Sequence, residues 1–343
     1  MKKILFAAAA MAAALFASCD KDDETINSVI PEAADSARIA ITLIGAGDTE
    51  TRAFFDTTAK AEVWESSLST LSVFAFDKGG TLIVRRDFTS AELASKSATF
   101  ALPKSTAGTE CSFYAVANYD ASSAKTLTAL TALVENSSAT YNGTFAEVST
   151  AAKRSGGFVM SGFATKTVGA VNTTTSVGIT LKRTVAKVAV QTTVDPSFAN
   201  KYSGTLAINS VKLSKAASQS LVVAGTPTPG TMTFSHMQTP AAASENYNAL
   251  FYCFENGALA VGNRVLLEIN ATYDSDGSAS TPDDRSEVTY SIELTGKTAG
   301  EILRNGYYRI AANITGLVGQ DCAVSVTVAD WETPITQNVE LGA

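Results

Sequence analysis

The residues able to do chemistry are few. His236 is the single histidine in 343 residues, so any Ser-His-Asp or Cys-His mechanism, or any histidine-rich metal centre, would depend on one side chain. It sits in a Pro/Gly-rich stretch from Ala224 to Gln238 that holds Pro227, Pro229 and Gly230, and it reads as a surface histidine of a long loop. Asp274-Ser-Asp276-Gly277, with Asp283 and Asp284 close behind, offers carboxylates to a hard cation. The run lacks the ligand spacing of an EF-hand loop and reads as a solvated hairpin turn, so no metal ligand is assigned. There is no P-loop, no GxGxxG after a strand and no G-x-S-x-G. The expectation is a protein that is not an enzyme and carries no cofactor.

The elements that would position these residues are strands. Leu71, Val73 and Ala75 alternate with Ser72, Phe74 and Phe76; Val265, Leu267 and Ile269 alternate with Leu266, Glu268 and Asn270; Val324, Val326 and Val328 alternate with Ala323, Ser325 and Thr327. A period of two is strand patterning with one face toward a core. Turn signals separate the runs at Gly79-Gly80, Asn142-Gly143, Asp276-Gly277 and Asn305-Gly306. One segment, Asp120 to Asn136, carries Leu127, Leu130, Leu133 and Val134 near the helical period, with Ser122 or Ser123 as a cap. Many short strands and one helix predict an all-β protein of sandwich type. Chain length suggests about two domains of ~150 residues. The break falls near Arg183, between Ser176–Leu181 and Val185–Val190.

Lys+Arg 26 against Asp+Glu 33 leaves a formal charge of −7, which argues against a nucleic-acid partner, since binding phosphates needs a basic face. With hydrophobic residues at 45 %, the chain can bury a core. Met1-Lys2-Lys3 precedes an apolar run from Ile4 to Ala17. Its length of roughly 21 Å as a helix falls short of the ~30 Å hydrocarbon core, so it reads as a signal peptide over residues 1–18. The run ends in Leu15-Phe16-Ala17-Ser18-Cys19, which resembles a bacterial lipobox, with Cys19 as the lipidated residue. Asp20-Lys21-Asp22-Asp23-Glu24 then resembles the acidic tag of Bacteroidetes surface lipoproteins. Cys111, Cys253 and Cys322 remain, each in a strand-like run. They read as buried thiols, with one disulfide possible in an oxidising compartment.

Two terminal segments stand out. Ala37 to Ile44 alternates as a strand; Gly45, Gly47 and Asp48 break it; Thr51-Arg52-Ala53-Phe54-Phe55 follows. An arginine in a Gly/Thr-rich loop is open to a trypsin-like protease. After Trp331 and Pro334, Ile335, Gln337, Val339 and Leu341 alternate to the end of the sequence. Asp56-Thr57-Thr58 resembles a Bacteroidetes O-glycosylation acceptor, whereas Asn142-Gly143-Thr144 carries little meaning as an N-linked site in a bacterial chain.

Taken in order, Cys19 with its acidic tag, Thr51-Arg52-Ala53-Phe54, Leu181-Lys-Arg183-Thr-Val-Ala-Lys187-Val188, Asn305-Gly-Tyr307-Tyr308 and Val328-Ala-Asp330-Trp331 resemble the Bacteroidetes fimbrillin family, the subunits of surface fimbriae. The resemblance covers nearly the whole chain. It implies two transthyretin-like β-sandwich domains in tandem, at residues 53–183 and 184–343, behind a lipidated propeptide at 19–52 that contains the first strand. It implies export to the outer membrane through a transient lipid anchor, cutting between Arg52 and Ala53 by an arginine-specific surface protease, and head-to-tail polymerisation with other fimbrial subunits. The donor strand would run from Ile335 through Gln337 and Val339 to Leu341. Other expectations to weigh are a tip or anchor subunit, and a surface glycan-binding lipoprotein. The last would need exposed aromatics, yet Phe74, Phe76, Phe113 and Phe251 lie in strand registers that read as buried.

Overall fold

The computed structural model describes residues 35–44, 55, 61–136, 138–226, 232–240, 247–278, 280–296, 299–318, 323–330 and 339–341. The first half contributes β1 (Ala37–Ile44), β2 (Leu71–Phe76), β3 (Leu82–Asp87), β4 (Ser97–Leu102), β5 (Glu110–Ala117), β6 (Val134–Asn136), β7 (Met160–Thr167), β8 (Thr174–Thr180) and β9 (Lys182–Arg183). Two sheets, ordered β4-β1-β8 and β3-β2-β5-β7-β9, face one another. Ile39 and Ile41 of one sheet and Val73, Phe113 and Ala115 of the other close a common core. The second half supplies β10 (Val185–Val194), β11 (Thr205–Ala216), β12 (Gln219–Leu221), β13 (Phe234–Gln238), β14 (Tyr247–Phe254), β15 (Leu266–Asp274), β16 (Arg285–Glu293), β17 (Gly306–Ile314), β18 (Ala323–Asp330) and β19 (Val339–Leu341). Its sheets, β14-β10-β17-β18-β19 and β13-β11-β15-β16, enclose Val188, Val190, Phe251, Leu267, Ile269 and Ile310. Each half is thus a two-sheet sandwich built from inward-facing alternate residues. The antiparallel pair β6–β12 joins the two halves.

The passage between halves depends on one glycine. β8 belongs to the first sheet, but the chain crosses at Leu181 so that β9 joins the second. The crossing runs directly over Gly162 of β7, where a Cβ would lie 2.0 Å from the Thr180 carbonyl oxygen. Only a residue without a side chain admits so close a backbone approach. β10 then begins at Val185 in the other half.

The expected helix over Asp120 to Asn136 shrinks to α2, Leu127–Thr131. Its cap is Thr126, whose hydroxyl accepts from the Ala129 N–H at 3.1 Å, while Asp120 instead accepts from the Ser122 N–H as a local turn. Residues 134–136 become β6 because pairing with β12 satisfies their backbone, and a tertiary ladder outweighs weak helix propensity. Two more short helices flank it in the first half: α1 (Ser90–Ser95), and α3 (Phe145–Val148) after α2. Each begins with a Thr-x-x-Glu capping box, at Thr89/Glu92 and Thr144/Glu147. Among the described residues, the expected single helix is corrected to three in the first half, and a fourth, α4 (Phe198–Lys201), follows in the second. The loop expected from Ala224 to Gln238 likewise contains β13, so His236 lies on a strand, with a ring nitrogen 2.9 Å from the Gly143 carbonyl oxygen.

A seam of aromatic and charged side chains joins the sandwiches. Tyr141 stacks on Phe158 with ring centroids 5.2 Å apart, and Phe158 meets Tyr252 edge-on at 4.9 Å. Beside them, Glu65 is fully buried in a short 3-10 turn, Val63–Ser66. Its carboxylate accepts from Lys187 Nζ at 2.7 Å and from the Tyr252 hydroxyl at 2.9 Å, and its carbonyl accepts from Arg183 Nε at 2.8 Å. Burial and the adjacent Glu65 charge push the Tyr252 phenol well above its ordinary range, so it stays a donor. Glu135 of β6 accepts from Tyr141 and Thr184, with Arg154 at 3.3 Å, yet burial still raises its pKa. Expected as a turn, Asn142 is 5 % exposed; its amide donates to the Tyr252 carbonyl and accepts from the Tyr252 N–H. Gln238 does the same for Leu250. Together these amides complete the outer edge of β14.

Removing either kind of link has a measurable cost. Asn142→Ala leaves a buried N–H and C=O unpaired and is expected to lower unfolding free energy by about 2–5 kcal/mol in urea denaturation. Lys187→Ala takes away the cation facing Glu65 and should cost about 3–5 kcal/mol. The same truncation of Lys212, which pairs with Glu268 at 3.2 Å on the surface, should cost no more than about 1 kcal/mol.

Candidate functional site: a strand held on both edges

β1 reads Ala-Arg-Ile-Ala-Ile-Thr-Leu-Ile, and its alternation places Ala37, Ile39, Ile41 and Leu43 on the core face, the first three at 0 % exposure and Leu43 at 5 %. It is the middle strand of its sheet. On one side it runs antiparallel to β4, with Ile39 opposite Phe100 and Ile41 opposite Ala98. On the other it runs parallel to β8, with Ile39 opposite Thr175 and Ile41 opposite Val177. At its ends the Arg38 N–H donates to Thr173, the Leu43 N–H donates to Lys96, and the Ile44 carbonyl accepts from the Leu181 N–H. Three strands with one in the centre mean that its loss would open a slot with backbone groups unpaired on both sides. Val73, Phe113 and Ala115 would form the apolar floor, because they share β1's core.

The chain past β1 is fastened elsewhere. The Arg309 guanidinium of β17 lies 4.5 Å over the Phe55 ring and donates from Nη2 to the Phe55 carbonyl at 2.9 Å. Ten residues farther on, Glu65 is locked into the seam. Residues on either side of the expected cut therefore have different hosts: β1 belongs to the first sandwich, and Phe55 rests on a strand of the second. Sequence reasoning passed over Phe55 as an anchor, along with Glu65. Lys187 carried the clearest signal, a lysine inside the Val185–Val190 run whose six residues are all buried.

Cys19, Arg52, Ala53, Ile335 and Gln337 lie outside the described residues, as do Cys322 and the Asp56-Thr57-Thr58 stretch. Val339 and Leu341 lie in β19, which pairs antiparallel with β18, Val339 opposite Val326 and Leu341 opposite Val324. Cys111 and Cys253 are free thiols in separate cores. Burial raises the Cys111 thiol and pushes Cys253 up to about 12, so both are poor nucleophiles. Carboxylate oxygens of Asp274, Asp276 and Asp284 come within 4.8 Å of one another. They serve the β15–β16 hairpin: Asp274 accepts from Arg285 and Gly277, Asp276 from Thr281, and Asp284 from Ser275. Phe74, Phe76, Phe113 and Phe251 are all fully buried.

Comparison with known proteins follows this architecture. The solved fimbrilin of Porphyromonas gingivalis W83 superposes with a TM-score of 0.59 at 17 % identity, over 88 % of this chain and 99 % of that one. The tip fimbrial protein Mfa3 of Porphyromonas gingivalis, solved with a C-terminal truncation, gives 0.54 at 13 % identity, over 86 % and 100 %. A fimbrial assembly protein of Parabacteroides distasonis gives 0.50 at 15 %, over 89 % and 99 %. At these identities the likeness concerns the fold. No curated protein matches the sequence. The family model of fimbrillin-A associated anchor proteins Mfa1 and Mfa2 matches residues 47–336, most of the chain, and the protein therefore belongs to that family, one of fimbrial structural proteins rather than of enzymes.

Proposed function

We propose that this fimbrial protein is a polymerising subunit, exported as a lipoprotein on Cys19, cut between Arg52 and Ala53 by an arginine-specific surface protease, and joined head to tail by strand exchange to build a filament that supports adhesion. The mature subunit would be the pair of sandwich domains at 53–183 and 184–343. The observation that supports this reading is the position of β1: central in its sheet, paired on both edges, and followed by an anchor on the other sandwich. Cutting in between removes the strand and leaves the rest of the fold in place. The slot then accepts an extended segment with alternating apolar residues, for which Ile335, Val339 and Leu341 are suited, with Gln337 in the same alternation. Burying three such side chains contributes roughly 5–9 kcal/mol, and each new backbone hydrogen bond about 1 kcal/mol. Some of this offsets the entropy of ordering the tail. A head-to-tail contact of this kind need not close, so it extends into a fibre. Until the cut, β1 fills its own slot, and proteolysis acts as the assembly switch.

A second reading is favoured by the family description, which names anchor proteins, and by β19, which rests on β18 of its own chain. An anchor would keep its lipid and its first strand.

Mass spectrometry of the protein released from the cell surface separates the two. A polymerised subunit starts at Ala53, and Arg52→Ala should hold it at the longer, lipid-bearing mass with polymer lost. Assembled material that still begins at Cys19 would defeat the polymerising role and establish the anchor. Deleting residues 335–343 should likewise stop elongation of a polymerising subunit while leaving its secretion intact.

A further inference from the structure

A cleft of about 540 Å³ opens on the first sandwich where the start of β2, the end of β3, α1 and the loops after β5 and before β7 converge. None of its lining residues belongs to β1, β4 or β8, although Leu71, Phe88 and Leu93 reach from its wall into the core that β1 closes. Its size falls within the ~300–1,000 Å³ typical of small-molecule sites.

Its charge is balanced within the wall. The charged lining residues are Arg85, Asp87, Asp120 and Arg154, two of each sign. Arg85 is committed to Asp87 through Nε at 3.0 Å and Nη2 at 2.9 Å, and its Nη1 takes part in neither bond. Arg154 directs Nη1 to the Ser155 and Gly157 carbonyls and Nε toward Glu135 at 3.3 Å; its Nη2 takes part in none of these. Asp120 is exposed, and the Ser122 hydroxyl, with Arg85 helping, holds it below the usual carboxylate range. It is an acceptor at neutral pH. Tyr119, half-buried, also lines the cleft, while its side chain packs on the Phe74 and Phe76 cluster and its hydroxyl donates to the Val134 carbonyl.

Planar groups that donate and accept through fixed geometry, without net charge, suit a ligand with many hydroxyls and no charge. A phosphate or a sialate would find each guanidinium already facing a carboxylate, and a cation would find each carboxylate already facing a guanidinium or hydroxyl. We propose that this cleft binds a neutral saccharide, with Asp120 accepting from vicinal hydroxyls and the free Nη edges of Arg85 and Arg154 donating to ring or hydroxyl oxygens. This differs from an exposed aromatic platform and does not rest on the strand-exchange reading.

Saturation-transfer NMR and titration calorimetry on the full chain test it, using methyl glycosides of glucose, galactose, mannose and N-acetylglucosamine, with sialic acid and inorganic phosphate as charged probes. At least one neutral glycoside should bind saturably. Asp120→Ala should weaken it about tenfold or more, the loss expected for a hydrogen bond to a charged group. Ser155→Trp, on the exposed rim, should block it and unfold at the wild-type temperature, while Asp120→Ala, which also loses the turn bond from Ser122, should stay folded with its unfolding temperature lowered by only a few degrees. If no neutral glycoside binds, if the charged probes bind more tightly, or if both variants bind as well as wild type, the proposal is overturned.

Discussion

The molecule is organised around a strand with partners on both sides. A central strand satisfies every backbone group it has and every facing group on its neighbours, so its loss strands the donors and acceptors of β4 and β8 together. Edge strands lack this property: removing one costs a single ladder and leaves no slot. The apolar alternation of β1 adds an exclusion of water that only another apolar strand can restore. A slot left by β1 would therefore be specific for shape, periodicity and direction at once. Parallel pairing to β8 and antiparallel pairing to β4 fix which way a replacement has to run if it keeps both ladders.

That arrangement works only if the remainder of the protein ignores the strand's departure. The seam supplies this independence. Glu65 ties the short turn at Val63–Ser66 to Lys187 and Tyr252 on the opposite sandwich, and Arg309 holds Phe55 there as well. Buried ion pairs contribute modestly to stability in net terms, but removing one partner is heavily penalised. Such contacts define a single arrangement of the two sandwiches. Glu135 extends the same logic to the β6–β12 ribbon.

Much of this was legible in the residues. Period-two alternation in β1 and β15 placed strands correctly, since half-buried sheets impose that pattern directly, and the same alternation in sequence marked β2 and β18. β2 and β10 departed from one-faced burial because each is covered on both sides, β2 by Leu130 and by Val222 and Val223 from the second half. The helix over Asp120 to Asn136 was misread because the leucine spacing reported local periodicity, while the partner that converts Val134–Asn136 into a strand lies more than eighty residues away. Thr89/Glu92 and Thr144/Glu147 spelled out two capping boxes that periodicity alone overlooks, since each helix is barely one turn. Glu65 was invisible as a hub because a glutamate beside Glu62 and Ser66 looks solvated until Lys187, hidden within an apolar run, is brought to it. The strand over Ala37–Ile44 was readable from its alternation, whereas Phe55 gains meaning only from Arg309 in the fold.

The side-chain amides of Asn142 and Gln238 carry a consequence for how copies of the molecule can associate. They occupy the backbone groups at positions 250 and 252 of β14 that a foreign chain would need for sideways addition. With that flank already spoken for, an apolar and otherwise inviting ribbon is withdrawn from uncontrolled stacking. Neighbouring molecules lying side by side find no template there, whatever larger assembly they belong to.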